Sequence, residues 1–165
     1  MMIIIEDSRQ QANKHKNVHQ FFERAGITLV RSKLLVGDYM IANRGNVSID
    51  TKSGVPELMM DVWQQHRRFR EECQLAQNSG ILLIVLVEEV LPFGRLDLWR
   101  SPVYHKDTAS HSKGEPMYKG NPATLRKALA TMTKEYGVKF RFCDRKETGS
   151  EILRYLTEVK PIEVG

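Results

Sequence analysis

Seven consecutive apolar residues, Ile81 to Val87, constrain the fold of this chain more than any other feature. Successive side chains of a strand point to opposite faces, so an unbroken apolar run must be covered on both sides. Such a run is far below the length of a membrane-spanning helix. Met2 to Ile5 is a shorter run of the same kind. Strands of this type call for a sheet between two layers of helices, and the rest of the chain supplies the helix patterns.

The first helix is expected over about Gln11 to Ala25, where Val18, Phe21, Phe22 and Ala25 share a face and Gly26 marks the stop. Ile27 to Arg31 reads as a strand. Asp38 to Ile41 and Val47 to Thr51 read as a hairpin turning at Asn43-Arg44-Gly45-Asn46. Pro56 opens a long helix reaching about Gln77, with Leu58, Met59, Val62, Phe69, Cys73 and Ala76 as its apolar contacts. Asn121-Pro122 caps a helix carrying Leu125, Leu129, Met132 and Tyr136, which Gly137 ends. Val138, Phe140 and Phe142 alternate as a half-buried strand. Thr148 or Ser150 opens a last helix bearing Ile152, Leu153, Leu156 and Val159. Between about Pro92 and Asn121 the periodicity disappears, as in a long loop that is either functional or partly disordered. The expectation is a single α/β domain over 1–165, with helices on both faces of a mixed sheet and a loop insertion at about 92–121.

The 165 residues suffice for one domain with a substantial core. With 41% hydrophobic and 27% charged residues, wholesale disorder is excluded. A net charge of +5 and a pI near 9.3 make a polyanionic partner reasonable without demanding one. Cys73 and Cys143 have no metal-ligand spacing and read as core residues of a reducing compartment. Met1 to Ile5 runs into Glu6 and Asp7, too short and without the basic leader of a signal peptide. The expected location is intracellular: cytoplasmic, or nuclear in a eukaryotic source, with no membrane association.

The chemistry gathers at Gly37-Asp38-Tyr39 and Ile49-Asp50-Thr51-Lys52. Residues two apart on a strand share a face, so Asp50 and Lys52 project together, and the hairpin brings Asp38 to the same sheet edge. Two carboxylates can hold a hard divalent cation, with waters and phosphate oxygens completing its shell. A neighbouring lysine suits an attacking water or the charge that develops on phosphorus. Asp144-Arg145-Lys146 and Glu158-Val159-Lys160 also fit acid-x-lysine, but neither follows a hairpin that carries a partner acid. The bland alternative for the three-residue pattern alone is a solvated turn with scattered charges.

Taken together, these motifs resemble the XPF/Hef-type nuclease domain, a branch of the PD-(D/E)XK superfamily. That family shows Gly-Asp, a gap, then Glu-Arg-Lys and a further acid. Its first strand ends in Asp-x-Arg-Glu, similar to Asp7-Ser8-Arg9-Gln10. Arg68-Phe69, the strand Ile84 to Glu88 and the segment Pro122 to Glu158 follow its pattern as well. The similarity covers nearly the whole chain outside the 92–121 insertion. Asp50 stands where the family has Glu, Thr51 where it has Arg, and Gln10 where it has Glu; Glu57 comes one residue later than the usual downstream acid.

The resemblance implies a three-layer α/β/α, restriction-endonuclease-like fold and an Mg²⁺-dependent endodeoxyribonuclease, with Mn²⁺ as a substitute ion. It implies branched or flapped DNA, with single-stranded parts, as substrate, a homodimer as a reasonable form, and DNA repair or recombination as setting. Asp38, Asp50, Lys52, Asp7 and Arg9 are the expected catalytic residues, and Asp38, Asp50 and Glu57 the metal ligands. Larger family members add helix-hairpin-helix modules for which 165 residues leave no room. Binding is therefore expected through the domain's own surface, a dimer or another protein.

For Asp7 and Arg9 the alternative is a strand-end ion pair. Arg67, Arg68, Arg70 and Arg100 are expected to contact DNA phosphates, or else to form a solvated face. Trp99 and Tyr104, among Arg95, Arg100 and Lys106, suit stacking on unpaired bases, with packing onto the core as the alternative. His105 and His111 lack further zinc ligands at suitable spacing and read as loop histidines. The competing functions are a non-catalytic DNA-binding or scaffold module on the same fold, and a restriction-like nuclease with another substrate.

Overall fold

The computed structural model describes residues 1–100 and 121–158. Strands β1 (Ile3–Asp7), β2 (Thr28–Ser32), β3 (Tyr39–Ile41), β4 (Arg44–Lys52), β5 (Leu82–Glu88) and β6 (Lys139–Cys143) form one sheet. Their order is β2-β1-β3-β4-β5-β6. The short β3 runs antiparallel to β1 and β4, while β1–β2, β4–β5 and β5–β6 are parallel pairs, so the sheet is mixed. Helices α1 (Lys16–Arg24), α2 (Val55–Met59), α3 (His66–Asn78), α4 (Pro122–Tyr136) and α5 (Thr148–Glu158) cover it.

All seven residues of β5 are buried, and alternate ones enter different cores. Leu83, Val85 and Val87 pack with Leu58, Phe69, Cys73 and Leu125 from α2, α3 and α4. Leu82, Ile84 and Leu86 pack with Val18, Phe22, Ile152 and Leu156 from α1 and α5. Each such side chain contributes about 1.5–3 kcal/mol when fully buried, which is why this strand, covered on both faces, is the most apolar. The architecture is the expected three-layer α/β/α. No helix among the described residues is long and apolar enough to cross a membrane. Cys73 and Cys143 are free and buried, and burial pushes their thiols up to about 12 and about 11. Neither is a reactive thiolate.

Four local expectations change. The first helix begins at Lys16, because the preceding Gln11 to Lys14 are exposed and only His15, Val18 and Phe22 turn inward; Ala25 is exposed. The hairpin turns at Ala42-Asn43, so β4 starts at Arg44, and its pairing with β3 shifts register between Tyr39 and Ile41. The long helix from Pro56 is interrupted: α2 passes into a π-helical turn at Met60–Gln64, and Gln65 leaves helical geometry (φ −109°, ψ 30°) before α3. At the start of the aperiodic stretch, two short 3-10 turns, Pro92–Gly94 and Leu96–Leu98, deliver Leu96 and Trp99 into the core. Tyr104, His105, Lys106, His111 and Val159 lie outside the described residues.

The other boundaries follow the capping chemistry. Asn121 accepts a hydrogen bond from the Ala123 N–H (2.8 Å), Pro122 opens α4, and Gly137 closes it at φ 73°.

Candidate active site

Gly37 and Asp38 end the connection from β2 to β3, and the glycine is required there on two grounds. Its φ is +74°, and a Cβ would stand 2.1 Å from Ser48 Oγ and 3.0 Å from the Ile49 carbonyl. The backbone must press against β4, where Ser48 Oγ donates to the Val36 carbonyl (2.7 Å). The next residue is then fixed: the Asp38 N–H donates to Ile49 O (2.7 Å), and the Asp7 N–H to Asp38 O (2.8 Å). Gly-Asp is thus one device, a close approach followed by a carboxylate held at the sheet edge.

Asp38 Oδ2 accepts from both the Thr51 N–H (2.8 Å) and the Thr51 hydroxyl (2.7 Å). Burial raises the Asp38 carboxyl above its usual range, against the opposing pull of the two Thr51 bonds, Lys52 and the Gln10 amide. Asp50, only 6% exposed, is pushed up to about 7 by burial and by the nearby Asp38 charge.

Lys52 Nζ lies 3.0 Å from Asp50 Oδ2 and 2.6 Å from Asp61 Oδ2. Burial opposes its charge, but Asp50 and Asp61 more than offset this and keep the ammonium protonated. Glu72 on α3 closes this group, accepting from the Gly37 N–H (3.3 Å); burial and then Asp50 raise its carboxyl.

Asp7 and Arg9 line the same cleft of about 720 Å³, with Asp38, Asp50, Lys52, Glu57, Asp61 and Glu72. Asp7 is buried and accepts from the Leu34 N–H (2.9 Å) and Arg9 Nε (2.9 Å), while Arg9 Nη2 donates to Leu34 O (2.8 Å). The strand-end ion pair therefore exists, and it shapes the loop that leads to Gly37. Glu57 also reaches the cleft, but its Oε2 is taken by the Ser53 N–H (2.6 Å) and hydroxyl (2.7 Å). Burial raises the Glu57 carboxyl; the Ser53 bonds and Lys52 outweigh it and hold the group below its usual range.

Of the expected DNA contacts, Arg68 lines the cleft and Arg70 is exposed on α3. Arg67 is exposed and ion-paired with Glu71 one turn on. Arg100 is exposed, and its guanidinium donates to the Trp99 carbonyl (3.3 Å). Trp99 is a correction: it is 6% exposed, packed in the core, and donates from Nε1 to Glu89 (2.7 Å), so it offers no free face to a base. Asp61, Glu72 and the basic rim residue Lys14 were not anticipated. Glu72 comes from α3, where helix phase is the signal that points to it, and Asp61 from the π-helical turn, which shifts that phase. Of the competing acid-x-basic motifs, Asp144 serves as a turn cap, accepting from the Lys146 N–H (2.9 Å).

Asp50 Oδ2 and Asp61 Oδ2 are buried, and each has the Lys52 ammonium as its polar neighbour (3.0 and 2.6 Å) and no other hydrogen-bond donor. Among the described residues, no cluster of three or more His, Cys, Asp or Glu forms a ready-made metal cage. The donor set fits a hard cation that takes one or two carboxylates and keeps its waters, with Asp38 and Asp50 as the residues that would hold it.

A mixed sheet between helix layers thus carries desolvated carboxylates and a lysine together at one hairpin edge. Residues 6–156 match the ERCC4 domain model, and the chain belongs to this XPF-type nuclease-domain family. The fold is similar to that of XPF from Aeropyrum pernix (TM-score 0.63, 17% identity over 93% of this chain and 63% of that one). It is similar also to the structure of the same protein in complex with DNA (TM-score 0.57, 16% identity over 93% of this chain and 62% of that one). The chain thus spans under two thirds of these relatives. No curated protein gives a significant match.

Proposed function

We propose that this chain is a metal-dependent endonuclease that hydrolyses phosphodiester bonds in branched or flapped DNA. The observation that carries the reading is the buried group of Asp38, Asp50 and Lys52 in a cleft rimmed by Arg9, Lys14 and Arg68. Asp38 and Asp50 hold Mg²⁺, or Mn²⁺ in its place, and when bound the ion neutralises charge on phosphorus and acidifies a water. Lys52, kept protonated by two carboxylates, stabilises the charge that develops on the phosphate. Arg9 and Arg68 position the backbone, and Asp7 holds Arg9 and the loop before Gly37. Glu57, engaged by Ser53, is a supporting acid of the same cleft. Likeness to a solved XPF–DNA complex supports DNA as the partner, the preference for branches follows the family, and a homodimer is the proposed working form.

One feature favours a second reading, a non-catalytic DNA-binding scaffold. Lys52 is engaged by both Asp50 and Asp61, and no three-donor cage stands among the described residues. A panel of labelled duplex, flap, fork and four-way junction DNA in Mg²⁺ separates the two. Cleavage that disappears in Asp50→Ala and Lys52→Ala supports the nuclease; cleavage surviving both substitutions means the active site is elsewhere.

A further inference from the structure

We propose that His15 is a positioning residue that acts through the Thr51 hydroxyl to set the metal-facing oxygen of Asp38. The inference rests on the metal-site reading above and names a residue outside it. His15 precedes the first residue of α1, is 5% exposed, and sets its ring edge-on to Tyr39 (centroids 6.0 Å apart, 68° between planes). Its Nε2 lies 3.3 Å from Thr51 Oγ1, and Thr51 Oγ1 lies 2.7 Å from Asp38 Oδ2.

The direction of this relay follows from valence. A carboxylate only accepts, so the Thr51 hydroxyl must spend its single proton on Asp38. Toward His15 it can then only accept, and His15 must present Nε2–H. The chain is therefore His15 Nε2–H to Thr51 Oγ1–H to Asp38 Oδ2, with the Thr51 N–H (2.8 Å) as a second donor on the same oxygen. Two donors on Oδ2 fix the rotation of the carboxylate about its Cβ–Cγ bond, and with it the direction in which Oδ1 is presented. A hydroxyl without His15 behind it has other rotamers available; one that must also accept from a fixed ring has one.

Calorimetric titration of the full chain with Mn²⁺ and no DNA tests this. Thr51→Val should weaken Mn²⁺ about tenfold, within the range usual for removing an outer hydrogen bond to a ligand, and His15→Phe about three- to tenfold. His15→Gln, which restores an N–H at similar reach, should recover most of the loss. The double variant should bind no more weakly than Thr51→Val alone, since His15 acts only through that hydroxyl. A purely structural role for His15 predicts losses that multiply, and that result overturns the inference. Unchanged affinity in His15→Phe, with affinity lost in Asp38→Ala, overturns it alone. Unchanged affinity in Asp38→Ala, or no saturable Mn²⁺ binding by the wild type, overturns the metal reading with it. Thermal unfolding checks that each variant is folded; if His15→Phe is not, recovery in His15→Gln relative to His15→Ala decides instead.

Discussion

Replacing Asp50 by asparagine should stabilise the divalent-free protein at pH 8 while abolishing cleavage. Asp50 is 6% exposed, and its carboxyl is pushed from 3.8 to about 7 by burial and by Asp38. At roughly 1.4 kcal/mol per tenfold change in proton affinity, ionised Asp50 costs the folded state up to about 4 kcal/mol relative to the unfolded chain. Asparagine carries no charge to desolvate, but the variant gives up part of the attraction to Lys52, which keeps Asp61. A net gain of about 1–3 kcal/mol is expected, a rise of roughly 3–10 °C in Tm for a chain of this size. The sign follows from linkage. A folded pKa above the unfolded one gives stability that is full below about pH 4 and lost as pH rises through about 7. The difference between wild type and variant should therefore shrink as pH falls from 8 to 5, and the two should converge only near pH 4. Thermal unfolding in a chelating buffer at the two pH values measures both. A variant less stable than wild type at pH 8, with the same pH slope, refutes the claim that Asp50 is a desolvated charge.

Three further outcomes are expected. Mg²⁺ or Mn²⁺ should raise the wild-type Tm at pH 8 and leave Asp50→Asn unmoved, because a ligand that binds only the folded state stabilises it in proportion to its affinity. Gly37→Ala should cost at least about 2 kcal/mol in urea denaturation, since its φ of +74° and the 2.1 Å approach to Ser48 Oγ penalise any Cβ. Trp99→Ala should cost about 3–5 kcal/mol without changing the salt dependence of DNA binding, whereas Arg68→Ala should lower that slope by about one unit with no stability loss; filter binding at several salt concentrations distinguishes them.

What was legible in the sequence is what local physics decides. The two-sided burial of β5 could be read from its apolar run, and α4 from Asn121, Pro122 and Gly137, because each signal lies within the element it specifies. Asp50 and Lys52 were legible because a strand has a fixed period. Asp61 was not, because it reaches Lys52 only through a π-helical turn that alters the phase of the helix after Met59. No rule of spacing predicts where such a turn falls, though wide turns of this kind recur at functional sites. Trp99 was ambiguous because an aromatic flanked by basic residues has the same local pattern in a core anchor as in a base-stacking platform. The Glu89 partner that resolves it lies ten positions upstream, at 2.7 Å in space.

The charges of the cleft bind these observations together. Among the described residues, Asp38, Asp50, Asp61 and Glu72 share the inner part of the cleft with one largely enclosed cation, Lys52, while Arg9, Lys14 and Arg68 line it further out, so its inner part is short of positive charge. The deficit can be met by protons, as the upward shifts of Asp38, Asp50 and Glu72 indicate, or by a divalent ion on Asp38 and Asp50. On the proposed reading, protons and metal compete for the same carboxylates, and metal affinity is expected to fall as pH drops through about 7, where burial and Asp38 place the Asp50 carboxyl. Lys52 cannot close the gap alone, because its single charge is already shared between Asp50 and Asp61. On the proposed reading, the cost of ionised Asp50 at alkaline pH and the binding of a hard cation would be one property, the desolvated negative charge at the hairpin edge.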